Sequence, residues 1–222
     1  MRIISVAEAA AQIGVSPRRV RKMLADDLLP GHRVGRGWAI EQRALEYFRD
    51  HRAPAGRPWR ASSAWAVLAI ADGNESEMLP VDRSRARRRL ADHGLAGLVD
   101  RLAARAQRQR FYAHPSILQR LEEEPDVVRS GASAAADYQA DLIVSDFLEA
   151  YVPASRLRGF VDRYGLDANA EQPNVLLRAV DDVVWPFAPD AGVAPRAVVV
   201  VDLLEADDDR SRRAGAAMAA QR

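Results

Sequence analysis

The chain has 222 residues, 48% of them apolar and 28% charged, with a net charge of +1 and no cysteine. Length and apolar share suit one large domain or two to three small ones with buried cores, and argue against global disorder. The absence of cysteine excludes a disulfide scaffold, an iron–sulfur cluster and a thiolate zinc site. His32, His51, His93 and His114 are scattered without ligand spacing, so neither a metal nor another cofactor is expected. No stretch approaches the roughly 18 apolar residues of a membrane span, and the opening "MRIISVAEAA" lacks a signal-peptide apolar core. A cytoplasmic protein is expected. The near-zero net charge hides a gradient. Residues 1–60 carry 12 basic and 6 acidic side chains, residues 61–130 carry 11 and 10, and residues 131–222 carry 9 and 15. A basic front and an acidic back suit an anionic partner at one end and a different partner at the other.

In chain order, "SVAEAAAQIG" opens with Ser5 and Glu8 three residues apart, a capping box for a short alanine-rich helix that stops at Gly14. Ser16 then caps a second helix whose first turn holds Pro17, where no amide donor is needed. Only Gly14 and Val15 separate the two helices, which is helix-turn-helix spacing. On the second helix Val20, Met23 and Leu24 share the inward face, leaving Arg18, Arg19, Arg21 and Lys22 outside. In such a unit the N-terminal part of the second helix enters the major groove, where arginine grips guanine O6 and N7 or phosphate oxygens. A solvated basic helix is the competing reading. "HRV" and "WAI" then read as two short strands around "GRG", with Arg33 on the first strand and Arg36 at the tip. A third helix over about 41–51 turns Ala44, Leu45 and Phe48 inward. Helix, turn, helix, hairpin, helix is a winged order.

The strings "SVAEAAAQIGVSPRRVRKML", "LLPGHRVGRGW" and "AIEQRALEYF" resemble the excisionase-like and MerR-like winged helix-turn-helix domains over residues 3–51. The resemblance implies double-stranded DNA as partner. It places Ser16, Pro17, Arg18, Arg19, Arg21 and Lys22 on the reading helix, and Arg33 and Arg36 on the wing.

"RAPAGRPW" at 52–59 reads as a linker, so a first domain at 1–52 is expected, followed by a linker at 53–60. "SSAWAVLAIADG" reads as a buried helix. The segment 83–110 holds nine arginines against Asp92 and Asp100. Asp82 or Ser84 is expected to cap its first helix, Gly94 and Gly97 to interrupt it, and a second helix to carry Leu98, Leu102 and Ala106 inward. "RQRFYAHP" has strand character. Helix, helix and basic strand suggest a second winged-helix-like unit over 61–130, with Arg85, Arg88, Arg89, Arg108 and Arg110 as phosphate contacts. The alternative is an arginine face paired with acids such as Glu122 to Glu124.

In the last third, 131–222, residues up to "VDRYGL" read as small-residue turns and helices. "PNVLLRAV" and "RAVVVVDLLEA" read as two buried strands of a small sheet, and "DDDRSRRAGAAMAAQR" as a helix with acids in its first turn. The expected class is α+β, mainly helical, with a C-terminal α/β domain. Asp202, Glu205 and Asp207 to Asp209 could in principle hold a divalent ion. Helix-start acids explain Asp207 to Asp209, and no phosphate loop or nucleophile set accompanies them, so an enzyme is not expected.

"RFYAHPS", "VVRSGASAAADYQADLI" and "APRAVVVVDLLEADDDRSRRAG" are similar to a group of actinobacterial helix-turn-helix proteins that resemble AbiEi-type antitoxins. That resemblance implies an autoregulating repressor-antitoxin, with a nucleotidyltransferase toxin as partner and a back domain used for neutralisation or homodimer formation. Many such antitoxins begin with a different winged helix. Alternatives are a one-component regulator with a ligand pocket near Trp185 and Phe187, and an excisionase-like architectural protein.

Overall fold

The computed structural model describes residues 2–25, 29–35, 37–51, 58–74 and 79–221. They form two compact units, Met1–Ala53 and Pro54–Arg222. Of the expected linker, residues 52–57 lie outside the described residues.

The first unit runs β1 (Ile3–Ile4), α1 (Val6–Gln12), α2 (Pro17–Ala25), β2 (His32–Val34), β3 (Gly37–Glu41) and α3 (Gln42–His51). Its three-stranded sheet has the order β1-β3-β2, all antiparallel, with Ile4 opposite Ile40 and Arg33 opposite Trp38. The two-residue β1 was not anticipated; so short a strand leaves no alternation to detect. The capping box is formed: the Ser5 hydroxyl accepts from the Glu8 amide at 3.2 Å, and the Glu8 carboxylate accepts from the Ser5 amide at 2.8 Å. Hydrogen bonding from the Ser5 amide, and then from the Ser5 side chain, holds the Glu8 carboxyl below its usual pKa. The core joins Ala9, Ala10 and Ile13 of the α1 region to Val20, Met23 and Leu24 of α2, Ile40 of β3 and Leu45 of α3. Gly31 lies where the chain enters β2. A Cβ there would stand 2.6 Å from Leu24 Cδ2 and 3.1 Å from the Ala39 carbonyl oxygen. Gly31→Ala should therefore destabilise this unit by about 1–3 kcal/mol, the usual range for an overpacked core. A urea titration read at the Trp38 indole resonance checks this; an unchanged midpoint would show that Leu24 moves aside freely.

The second unit continues with α4 (Ala61–Ala71), α5 (Pro80–Leu102), β4 (Gln107–Phe111), α6 (Pro115–Glu122), β5 (Val128–Arg129), α7 (Gly131–Ala134), β6 (Leu148–Pro153), α8 (Ala154–Tyr164), β7 (Val175–Val180), α9 (Arg196–Leu204) and α10 (Asp209–Ala220). Helix α5 starts at Pro80 with Leu79 as its N-cap, so Asp82 sits in the first turn instead of capping, and the helix is kinked at Gly94. The strands form one mixed sheet in the order β4-β7-β6-β5, with β6 and β7 parallel and the outer pairs antiparallel. Alternation along the strands sorts the faces. Leu148, Ala150 and Val152 of β6 and Val175, Leu177 and Ala179 of β7 pack with Leu121 of α6 and Phe160 of α8. Tyr151 and Val180 belong to the opposite core, with Leu68 of α4, Leu98 and Leu102 of α5, and the valines of α9.

Four expectations are corrected here. The run "RAVVVVDLL" is helix α9, not a strand. Its residues 197 to 203 are all buried, and a continuous apolar run satisfies a helix enclosed on every side as well as a central strand. The β-branched preference of four valines yields to that packing. The expected division at 130/131 does not separate two bodies: β4, from the supposed middle domain, pairs with β7 from the supposed last one, Arg108 facing Arg178. For the same reason β4 is not half of a wing hairpin, although helix, kinked helix and strand do follow in the expected order. Strand β6, every residue buried, lies inside the segment read as turns and helices. The class is α+β, with the small helix-rich unit in front.

Candidate nucleic-acid interface

The site begins with the turn between α1 and α2. Gly14 has φ +65, a left-handed conformation that glycine adopts without steric cost and that lets the chain reverse between two helices. The Ser16 hydroxyl accepts from the Arg19 amide at 3.3 Å, and Pro17 fills the first helical position. Val20, Met23 and Leu24 are buried, which orients the helix about its axis. The opposite side is thereby determined: Ser16, Pro17, Arg18, Arg19, Arg21 and Lys22 are all exposed. Among the described residues no carboxylate comes within ion-pair distance of Arg18, Arg19, Arg21 or Lys22. Behind this face, the Gln12 and Gln42 side-chain amides exchange hydrogen bonds of 3.3 and 3.0 Å, and Gln42 also donates to Glu46 at 2.8 Å. These bonds tie the end of α1 to α3.

Arg33 projects from β2 with its guanidinium 5.6 Å from the centroid of the Trp38 ring across the hairpin. Val34, next to the turn, is 66% exposed. Arg36 lies outside the described residues. Residues 3–53 match the family model described as a helix-turn-helix domain. No curated protein and no solved structure matches the chain. The helix-turn-helix domain therefore brings together, in one unit, Ser16 to Lys22 on its second helix and Arg33 on its hairpin.

The arginines expected in the middle of the chain belong to the other unit and divide into two groups. Arg85 and Arg88 are exposed on α5, and Arg89 is half-buried with its guanidinium 4.2 Å from the Trp59 ring centroid. Arg88 approaches Asp92 at 3.7 Å across one helical turn. Arg108 and Arg110 face inward from β4. Arg110 pairs with Asp207, and Arg108 is close enough to Glu205 to help hold its carboxyl low. Each of these two thus lies near a carboxylate from the stretch that ends α9 and leads to α10. The acids Glu122 and Glu124 pair elsewhere, with Arg129 at 3.0 Å and Arg163 at 2.7 Å.

The carboxylates considered for a divalent ion are engaged by arginine. Arg105 donates to Asp202 Oδ1 at 2.5 Å and to both oxygens of Glu205 at 2.6 and 2.7 Å. Arg178 donates to Glu149 Oε1 at 2.7 and 3.0 Å and to Glu205 Oε2 at 2.8 Å. Tyr151 donates to Asp202 Oδ1 at 2.8 Å, and the Ser130 hydroxyl donates to Asp202 Oδ2. Burial opposes every charge in this cluster. Even so, Arg105 and Arg178 bring the Glu205 carboxyl down to about 2. For Glu149 burial prevails and its carboxyl is raised despite Arg178, with repulsion from Asp202 adding to the rise. Asp208 instead caps α10 by accepting from the Ser211 amide at 2.7 Å, and Asp209 pairs with Arg212. The region around Trp185 and Phe187 is occupied by rings: Phe187 lies 4.9 Å from Trp185, 5.5 Å from Trp65 and 5.2 Å from Tyr151, centroid to centroid.

Proposed function

We propose that this chain is a transcriptional regulator that binds duplex DNA through α2 and the β2–β3 hairpin of its helix-turn-helix domain. One observation carries the reading: the exposed side of α2 holds four cations with no carboxylate partner among the described residues. A guanidinium already paired with a carboxylate would have to exchange that partner for a phosphate or a guanine edge, whereas these four are available to either. The test is a mobility shift of the full chain on the DNA upstream of its own coding sequence, beside a scrambled duplex of equal length. The expected result is retention of the upstream fragment at concentrations that leave the scrambled one free. The logarithm of affinity should fall with the logarithm of salt by about 0.9 per phosphate contacted. Equal affinity for both duplexes would sink the regulatory reading.

We further infer that the regulator is an autoregulating antitoxin of the AbiE type, acting on a nucleotidyltransferase toxin and without catalytic activity of its own. What supports this is the resemblance of "RFYAHPS", "VVRSGASAAADYQADLI" and "APRAVVVVDLLEADDDRSRRAG", strings that span the end of β4 and the start of α6, the β5–α7 segment, and α9 with the start of α10. Homodimer formation through this unit belongs to the same reading. Co-expression of the full chain with the product of the neighbouring gene tests it. Restored growth is expected, and a harmless neighbour would remove the antitoxin reading while leaving the DNA-binding one intact.

A further inference from the structure

We infer that the cleft between the start of α4 and the first half of α5 binds a phosphate group. The cleft encloses about 310 Å³ and is lined by Ser62 and Ser63 on one side and by Asp82, Arg85 and Arg89 on the other. That volume falls within the range of about 300–1,000 Å³ typical of small-ligand sites. Ala66 and Ala86 also line it, and their short side chains take up little of the space.

The donors in this cleft are of the kind an oxyanion needs. Two hydroxyls come from adjacent residues of the first turn of α4. Two guanidiniums come from α5 positions four residues apart, which places them on one side of that helix. Among the described residues neither Arg85 nor Arg89 has a carboxylate within ion-pair distance. Arg89 is held in place by stacking on Trp59, and such stacking leaves the N–H groups in the guanidinium plane free to donate to a further acceptor. The α4 N-cap, Arg60, makes no side-chain capping bond, and intrahelical bonding begins at the Ser63 amide. The Ala61 and Ser62 amides ahead of it add to the positive end of the helix. Asp82 works in the opposite sense. With two arginines against one carboxylate the lining keeps a net positive charge.

The chemistry fits a phosphate oxyanion whether it belongs to a DNA backbone or to a free phosphorylated molecule, and the test separates the two. Inorganic phosphate is titrated into the ¹⁵N-labelled full chain in a buffer without other multivalent anions. Saturable shifts are expected at the Ser62 and Ser63 amides and at the Trp59 indole. Arg85→Gln, which disturbs no aromatic contact, should weaken them about tenfold, the usual worth of one charge-assisted hydrogen bond. Arg85→Gln with Arg89→Gln should abolish them. The same variants are then tested on duplex DNA. A salt dependence flatter by about 0.9 per lost contact identifies the DNA backbone as the source. An unchanged slope with lost phosphate binding identifies a free phosphorylated ligand. If the chain binds no DNA yet keeps the phosphate shifts, the DNA reading fails and the cleft stands. Absence of saturable shifts in the unaltered chain, or equal shifts in the double variant, overturns the inference.

Discussion

Changing Arg18, Arg21 and Lys22 to alanine together should abolish specific DNA binding while leaving the fold in place. Each lost base-edge contact costs about 1–3 kcal/mol of discrimination, so three at the low end already amount to more than a hundredfold in affinity. All three side chains are exposed and make no ion pair among the described residues. Exposed substitutions of this kind usually shift stability by no more than about 0.5 kcal/mol each. The buried face of α2, Val20, Met23 and Leu24, is untouched. A mobility shift beside a thermal melt reads both halves of the result. Wild-type affinity in the triple variant would move the DNA contact away from α2, with the hairpin and Arg33 next in line.

The second large effect lies in the other unit. Arg178→Met should destabilise it by about 3–5 kcal/mol, the range for breaking a buried ion pair from one side. Against a total stability of about 5–15 kcal/mol that is a severe loss. Arg178 is 1% exposed, and its removal strips Glu149 of its two guanidinium donors and Glu205 of one. The effect should depend on pH, with a definite sign. Glu149 already holds its proton more tightly folded than unfolded, and without Arg178 it holds it more tightly still. A raised carboxyl contributes stability that is fully present below the unfolded value of 4.5 and drains away as pH rises through the folded value. The gap between variant and wild type should therefore narrow as pH is lowered from 8 toward 5. Glu205 has the opposite sign: its contribution is present above 4.5 and is lost as pH falls toward about 2. Urea unfolding at a series of pH values measures both. A gap that widens on acidification would show that Glu149 is not the group left uncompensated.

The front unit was legible because its information is local. Ser5 with Glu8, Gly14, Ser16 with Pro17, and the glycines flanking Arg36 each act within a few residues of where they stand. The second unit was not, because its decisive contacts span the chain. "VLLRAV" and "VVVVDLL" are alike as strings, yet one is a central strand and the other a buried helix. Only their neighbours, β4 and β6 for the first and helices for the second, tell them apart. A usable signal was nevertheless present. Arg178, Glu149 and Asp202 each interrupt a run of apolar residues, and a charge within a buried run requires a buried partner of opposite sign. Pairing those three would have pointed to the strand at 148–153 and to the facing helix. The α4–α5 cleft had no comparable trace, since Ser62 and Ser63 look like ordinary first-turn residues until Arg85 and Arg89 stand opposite.

The strand order β4-β7-β6-β5 also sets a timetable for synthesis. Domains fold as they emerge, front first, and the helix-turn-helix domain contains all its own sheet partners by residue 51. The second unit cannot close its sheet until Val175–Val180 has left the ribosome, because β7 is the strand that joins β4 to β6. In the interval both of those strands present an unpaired side, the kind of open edge that recruits other chains. A chain interrupted between 154 and 174 would thus keep a folded front and carry two adhesive edges behind it. It should accumulate as aggregates rather than as a smaller working protein.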